Sequence, residues 1–337
     1  MEADLSPSGW RGCRVLVTGA DGFIGSHLVE RLLAEGASVR AFCQYNSHGS
    51  WGWLDQLPTE LRAELDVRLG DIRDARFVEA ACAGREVVFH LAALIAIPYS
   101  YLAAQSFVDT NVSGTLNVLE AVRCQGARRL VHTSTSEVYG TPNALPIRES
   151  HPLRAQSPYA ASKIAADQLA LAYHCSHGVP VTILRPFNTY GPRQSTRAVL
   201  PTILTQLLSG RRQISLGRLD PRRDLTYVSD TVDGFMRAAA VPGIEGRVIQ
   251  LGTGSAVSIA ELFAAACSAL GVRAEVSEDP RRMRPDASEV LVLQSDPERA
   301  RALLGWEPHI ALDVGLQRTA AWLERHLNLF KTDVLHV

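Results

Sequence analysis

Residues 14–25 read Arg-Val-Leu-Val-Thr-Gly-Ala-Asp-Gly-Phe-Ile-Gly. A β-branched run enters the stretch, Gly19, Gly22 and Gly25 follow at even spacing, and the amphipathic pattern FIGSHLVERLLAEG leaves it. That succession predicts a strand, a tight turn and a helix. A bound pyrophosphate asks for glycines at such a turn. One permits the sharp reversal, one lets backbone N–H groups approach the phosphates, and one allows the helix to pack close to the strand, while the helix N-terminus favours negative charge. Phe23 and Ile24 belong to the same candidate dinucleotide-binding turn.

Outward from this turn, short apolar runs alternate with longer helical patterns: SVRAFC, VRLGD, EVVFHLA, RRLVHTS and PVTILRP follow in order. The runs are nearly continuous in apolar residues, as strands covered on both faces should be, so the sequence predicts an α/β protein with a doubly wound parallel sheet. From about Gly191 the rhythm changes to Pro and Gly punctuation, the Arg-rich RLDPRRD, and helices starting near Ser258, Asp296 and Leu312. Residues 1–187, with 226–251 returning to them, are expected to form the cofactor domain. Residues 188–225 and 252–330 are expected to form a smaller α/β substrate lobe.

The 337 residues carry 34 basic against 35 acidic side chains and are 46% hydrophobic. That excludes disordered architectures and leaves no global basic field for nucleic acid or an anionic membrane. The segment MEADLSPSGWRG has acids where a secretory signal carries bases, and the longest apolar stretch, near residues 87–104, is interrupted by His90, Pro98 and Ser100. A cytoplasmic protein with neither membrane nor nucleic-acid partner is the expectation. Cys13, Cys43, Cys82, Cys124, Cys175 and Cys267 form no CxxC pair and are expected to be buried thiols. His174, Cys175 and His177 are read as a helix end, and no metal is expected.

An acid closing the second strand usually takes the ribose hydroxyls of a dinucleotide. Here the chain reads Val39-Arg40-Ala41-Phe42-Cys43-Gln44-Tyr45, with Cys43 at the expected acidic position and no arginine at the strand end to attract a 2′-phosphate, so the stretch does not settle the choice; NAD is the expectation and NADP stays open. Asp71 and Ile72, closing the third strand in GDIRD, are placed to meet the adenine.

Tyr159 and Lys163 lie four residues apart in SPYAASKIAAD, on one face of a helix. A neighbouring ammonium would lower the phenol's pKa and let Tyr159 act as a base toward a substrate hydroxyl. Upstream, RRLVHTS runs into TSEVYG, which puts Thr135, Ser136 and Glu137 at the C-terminal edge of a parallel strand, where doubly wound folds bind ligands. Thr135 can hold the reacting oxygen. Glu137 adds a carboxylate that simple hydride transfer does not need.

Together the GxxGxxG triplet, GDIRD, HLAA at residues 90–93, TSTSEVYG, YxxxK and RPFNTYGPRQ resemble the extended short-chain dehydrogenase/reductase family of nucleotide-sugar enzymes, from about residue 13 to 325. The resemblance implies a Rossmann lobe with a tightly held nicotinamide cofactor, with Leu91, Ala92 and Ala93 beside it. It also implies a sugar-nucleotide lobe in which Asn188, Arg223 and Arg284 take the diphosphate, and a homodimer built on helices around residues 105–126 and 159–178. Arg222, Arg281 and Arg282 are expected to be solvated. Thr135-Ser136-Glu137 is similar to the GDP-mannose type of 4,6-dehydratase. YNSHGSWGWLD, ALIAIPYSY and RPFNTYGPRQS are most similar to nucleotide-activated N-acetylglucosamine 4,6-dehydratases of the legionaminic-acid type. A UDP-glucuronate decarboxylase, with Arg193 or Arg197 near the substrate carboxylate, a 4-epimerase, and a non-catalytic NAD-binding sensor or scaffold are the competing readings.

Overall fold

The computed structural model describes residues 9–331; the acidic segment 1–8 read above lies outside the described residues. Its strands are β1 Arg14–Thr18, β2 Ser38–Gln44, β3 Asp66–Gly70, β4 Val87–His90, β5 Arg129–Thr133, β6 Val181–Pro186, β7 Asn188–Tyr190, β8 Gln213–Leu216, β9 Arg222–Tyr227, β10 Val248–Leu251, β11 Ala256–Ser258, β12 Glu275–Glu278 and β13 Val292–Leu293.

Seven of them form one sheet in the order β10-β6-β5-β4-β1-β2-β3, and every pairing in it is parallel. The chain order reverses between β1 and β4, so the C-terminal ends of these two strands diverge and leave a crevice. Burial explains why the runs are strands of such a sheet. Val15, Val17, Phe89, Val131 and Leu184 pack on one face, and Leu16, Val88, Leu130 and Ile183 on the other, all of them inaccessible to solvent or nearly so. Helices Phe23–Ala34 and Val228–Ala240 cover the first face; Ala75–Cys82, Gly114–Gln125 and Pro158–His177 cover the second.

β10 and the helix before it return to this sheet from beyond β9. A second sheet, β11-β9-β13 with β7 also paired to β9, and the pair β12-β8 lie outside it. The C-terminal helices begin at Ile259, Glu298 and Leu312; the first is capped by Ser258 and Glu261, each binding the other's backbone N–H. Trp53 stacks edge-on against Trp322 of the last helix. No helix among the described residues is long and apolar enough to cross a membrane. Of the six thiols Cys13, Cys43 and Cys82 are buried, but Cys267 is only half-buried and Cys124 and Cys175 are exposed, which corrects the expectation for those three.

Candidate active site

The glycine turn sits against β4. Gly19 has φ +66°, and a Cβ there would lie 2.8 Å from Ala92 N and 2.9 Å from the Leu91 carbonyl carbon. The Thr18 hydroxyl accepts hydrogen bonds from the Leu91 and Ala92 N–H groups, both at 3.2 Å, and lies 2.8 Å from His90 Nδ1. Burial, then His132 and Lys163, hold His90 far below its ordinary pKa, so it is a neutral pin whose Nε2 reaches Thr115 at 3.1 Å.

The helix starting at Phe23 has Gly22 as its N-cap and no side chain on its first N–H groups, which leaves them for an anion. Gly25 is needed for the approach of helix to turn: a Cβ would overlap Gly19 O and sit 2.9 Å from Gly19 C and 3.0 Å from Ala20 Cα. These neighbours are backbone and cannot swing aside. Gly25→Ala is therefore expected to cost about 1–3 kcal/mol of stability, as overpacking does. Thermal denaturation and nicotinamide binding should both register the change.

At the ribose end the structure corrects the reading of β2. Cys43 points into the core with no exposure, and the strand continues to the exposed Gln44. The carboxylate that meets this strand end comes from the glycine turn itself: Asp21 Oδ2 accepts the Gln44 N–H at 3.2 Å. Burial pushes the Asp21 carboxyl up and the Gln44 bond opposes it; burial, Asp21 and Asp55 together raise the Cys43 thiol. Asp71 is held below the usual carboxylate range by Arg73, whose Nε lies 2.9 Å from Oδ1 and 3.0 Å from Oδ2. The Ile72 side chain is buried against Gly114, and its carbonyl accepts from Asn117 Nδ2 at 3.0 Å. Leu91, Ala92 and Ala93 are half-buried beside the glycine turn.

Tyr159 enters from the first turn of helix Pro158–His177, which Ser157 caps by accepting the Ala160 N–H at 3.1 Å, with Pro158 at the first position. The Tyr159 ring is buried, edge-on to Phe107. Lys163 Nζ, one turn on, donates to Thr133 O at 2.6 Å. Burial pulls the Lys163 ammonium down to about 8 against the opposing pull of Asp167. Burial also pushes the Tyr159 phenol above its ordinary value, with the Thr135 hydroxyl lowering it and Glu137 and Asp167 raising it further. Burial outweighs the Thr135 hydroxyl, so the phenol stands above its ordinary value and not below it as the Tyr159–Lys163 spacing suggested.

Thr135 caps the short turn Ser136–Tyr139, its hydroxyl accepting the Glu137 N–H at 3.2 Å; Ser136 is buried at the start of that turn. Glu137, its side chain 13% exposed, lies 3.8 Å from Arg284 Nη1.

On the substrate side, Asn188 stands on β7 and Arg223 on the paired strand β9. Arg223 Nη2 lies 3.0 Å from Glu289 Oε1, and Arg284 Nη1 is 3.8 Å from the same oxygen. Arg223 is lowered by burial, with Glu137 and Glu289 opposing and Arg284 adding to the shift. Asn188 Oδ1 and Arg284 Nη1 are buried without a hydrogen-bond partner. Arg222 and Arg281 pair with Glu261 and Asp279 at the surface, and Arg282 lies 3.6 Å from Asp279. Arg193 points elsewhere: its guanidinium is 2.8 Å from Glu30 Oε2 and 3.4 Å from Ser26 Oγ, on the glycine-turn helix. Arg197 is exposed against Ser195.

Four residues of this region escaped sequence reading: Asp21, Glu289, Asp167 and Asn111. Asp167, fully buried, takes Ser134 Oγ at 2.7 Å and Arg185 Nη2 at 2.9 Å; burial raises it, but His132, Arg185 and Ser134 hold it below the usual range. Asn111 sits in a π-helical turn, Val108–Ser113, and ties Leu94 N at 2.8 Å and Leu94 O at 2.9 Å to Ser162 of the helix Pro158–His177 at 2.9 Å. A one-turn π-helix leaves no pattern in a sequence.

A family model described as GDP-mannose 4,6 dehydratase matches residues 16–319. A UDP-glucose 4-epimerase of Mycolicibacterium smegmatis is 36% identical over 91% of this chain and 97% of that protein. A dTDP-glucose 4,6-dehydratase of Streptomyces griseus is 37% identical over 93% of this chain and 94% of that protein. DesIV, a dTDP-glucose 4,6-dehydratase of Streptomyces venezuelae solved with NAD bound, superposes with a TM-score of 0.85 at 32% identity, covering 94% of this chain and 99% of its own. With the glycine turn, the Tyr159/Lys163 helix and the Arg-bearing second sheet in place, this chain belongs to the GDP-mannose 4,6-dehydratase family of extended short-chain dehydrogenases/reductases, whose members are nucleotide-sugar dehydratases and epimerases.

Proposed function

We propose that this protein is an NAD-dependent sugar-nucleotide 4,6-dehydratase that converts an NDP-hexose, first among them UDP- or GDP-N-acetylglucosamine, to the 4-keto-6-deoxy sugar. The observation that carries the reading is Glu137, a mostly buried carboxylate on the turn that Thr135 caps, close enough to raise the Tyr159 phenol.

The cofactor reading rests on the cradle at Gly19 and Gly25, which a Cβ would fill, and on Asp21 at the end of β2. Between Gln44 and Trp53 the chain has neither Lys nor Arg to attract a 2′-phosphate, and the Asp21 carboxylate would repel one. NAD bound there supplies an acceptor that takes the carbon 4 hydride and returns it to carbon 6, leaving no net redox change. Asp21→Asn is expected to narrow the preference for NADH over NADPH by about tenfold or more, the effect of removing a like charge. Equilibrium fluorescence titration of both reduced cofactors would show it, and an unchanged ratio would remove Asp21 from cofactor choice.

Tyr159 takes the proton of the carbon 4 hydroxyl, with Thr135 holding that oxygen. The resulting ketone acidifies carbon 5, and Glu137 removes the carbon 5 proton as hydroxide leaves carbon 6. That hydroxide takes up the proton from Glu137 and departs as water, Ser136 being too weak an acid for the task. As carbon 6 receives its hydride, carbon 5 takes a proton back, and the one Tyr159 took from the carbon 4 hydroxyl makes up for the one lost in water, so both residues end as they began. Asn188, Arg223 and Arg284 grip the diphosphate, Arg through its planar fork. The working unit is a homodimer built on helices Gly114–Gln125 and Pro158–His177, where Leu116 is 37% exposed.

The test is mass spectrometry of products after separate incubation with UDP-N-acetylglucosamine, GDP-N-acetylglucosamine, dTDP-glucose and UDP-glucuronate. Loss of water from one of the first three supports the reading and names the nucleotide. Loss of carbon dioxide from UDP-glucuronate would replace it with a decarboxylase, although Arg193, spent on Glu30, does not supply the cation which that reaction needs.

A further inference from the structure

Four charged side chains alternate in sign across the substrate side of the site. Glu137 and Glu289 each lie 3.8 Å from Arg284, and Glu289 lies 3.0 Å from Arg223. Arg223 and Glu289 have side chains only 9% exposed. Glu289 has no part in the chemistry proposed above, and its position is set with care. Its backbone N–H donates to Pro285 O at 3.1 Å and Asp286 O at 3.2 Å. The preceding residue, Ser288, donates to Gln156 O, just ahead of the catalytic helix, and meets Tyr101 OH, both at 2.6 Å. The next residue, Val290, is buried with Val138 and Tyr139 of the Glu137 turn.

We infer that Glu289 is a resident counter-anion. It holds Arg223 and Arg284 where the diphosphate of a sugar nucleotide needs them, and it competes with that diphosphate for their charge. The inference rests on the reading of these two arginines as the diphosphate grip. Its physical basis is charge balance. The charges of the four groups sum to zero, so the buried Arg223 guanidinium and the half-buried Arg284 are never left without a counter-charge, which would be costly. An arriving diphosphate brings further negative charge into the same pocket and meets the repulsion of Glu289. The unpartnered Arg284 Nη1 and Asn188 Oδ1 show that the carboxylate fills only part of the bonding capacity that the site offers. Glu289 is thus a positioning residue that sets how tightly substrate is held and how readily product leaves.

The experiment is calorimetric titration of the purified protein and its Glu289→Gln variant with UDP, GDP and dTDP, none of which can react. Gln keeps the shape and a hydrogen bond to the arginines but removes the charge. The variant is expected to bind the preferred nucleotide about tenfold or more tightly, because a like charge has gone. A merely structural role predicts the opposite sign. Glu289→Asp, which withdraws the carboxylate, should tighten binding by a smaller factor and serves if the Gln variant does not fold. Unchanged or weakened binding by a folded variant overturns the counter-anion while leaving the diphosphate grip intact. Failure of the parent protein to bind any of the three overturns both.

Discussion

Tyr159→Phe is expected to lower turnover by about 10²–10⁴-fold, the usual contribution of a positioned acid–base group. The ring is buried against Phe107, and Phe preserves that contact, so the folded protein and its bound nicotinamide should be retained. What disappears is the one hydroxyl placed beside Thr135 to take the carbon 4 proton. No other group in the site substitutes for it: Lys163 directs its ammonium at Thr133 O, and Glu137 lies toward Arg284. Product formation followed by mass spectrometry, with the nicotinamide content of the purified variant as a control, decides the matter. A Tyr159→Phe protein as active as its parent would end the assignment of catalysis to this pair.

Glu137→Gln should separate two steps that the parent protein couples. Oxidation at carbon 4 depends on Tyr159 and Thr135 and survives, whereas removal of the carbon 5 proton does not. We expect overall water loss to fall by about 10²-fold or more, while the near-ultraviolet absorbance of reduced nicotinamide builds up and stays with the protein. The charge change also frees Arg284 from one of its two carboxylates, 3.8 Å away. Diphosphate affinity should therefore hold or rise, so the loss lies in turnover and not in binding. Near-full turnover by this variant would sink the dehydratase reading and favour a 4-epimerase, whose reaction leaves the carbon 5 proton in place.

These two residues were legible in the sequence for the same reason that the glycine turn was. Gly19, Gly22 and Gly25, Tyr159 with Lys163, and Thr135-Ser136-Glu137 are local patterns, in which spacing along one turn or one helix face already sets the geometry. Cys43 shows where that reasoning stops. Side chains alternate across a strand, so placing the end of β2 one residue early exchanges the core face for the open one. Cys43 went into the core, Gln44 to the edge, and the carboxylate arrived from Asp21 of the glycine turn after the neighbouring strand β1.

The amino-acid order alone determined the alternation of strand and helix that calls for a parallel sheet, the glycine turn and the Tyr–Lys helix, because each is a pattern among residues near one another in the chain. Only the folded chain decided which charges meet. Arg223 and Glu289 are 66 residues apart, and Arg284 reaches Glu137 from the second lobe. Arg193, which the sequence offered to the substrate, is committed to Glu30 of the first helix. It decided the protonation balance too: burial pushes the Tyr159 phenol up and pulls Lys163 down to about 8, and burial is a property of the packed interior that no spacing in the chain encodes.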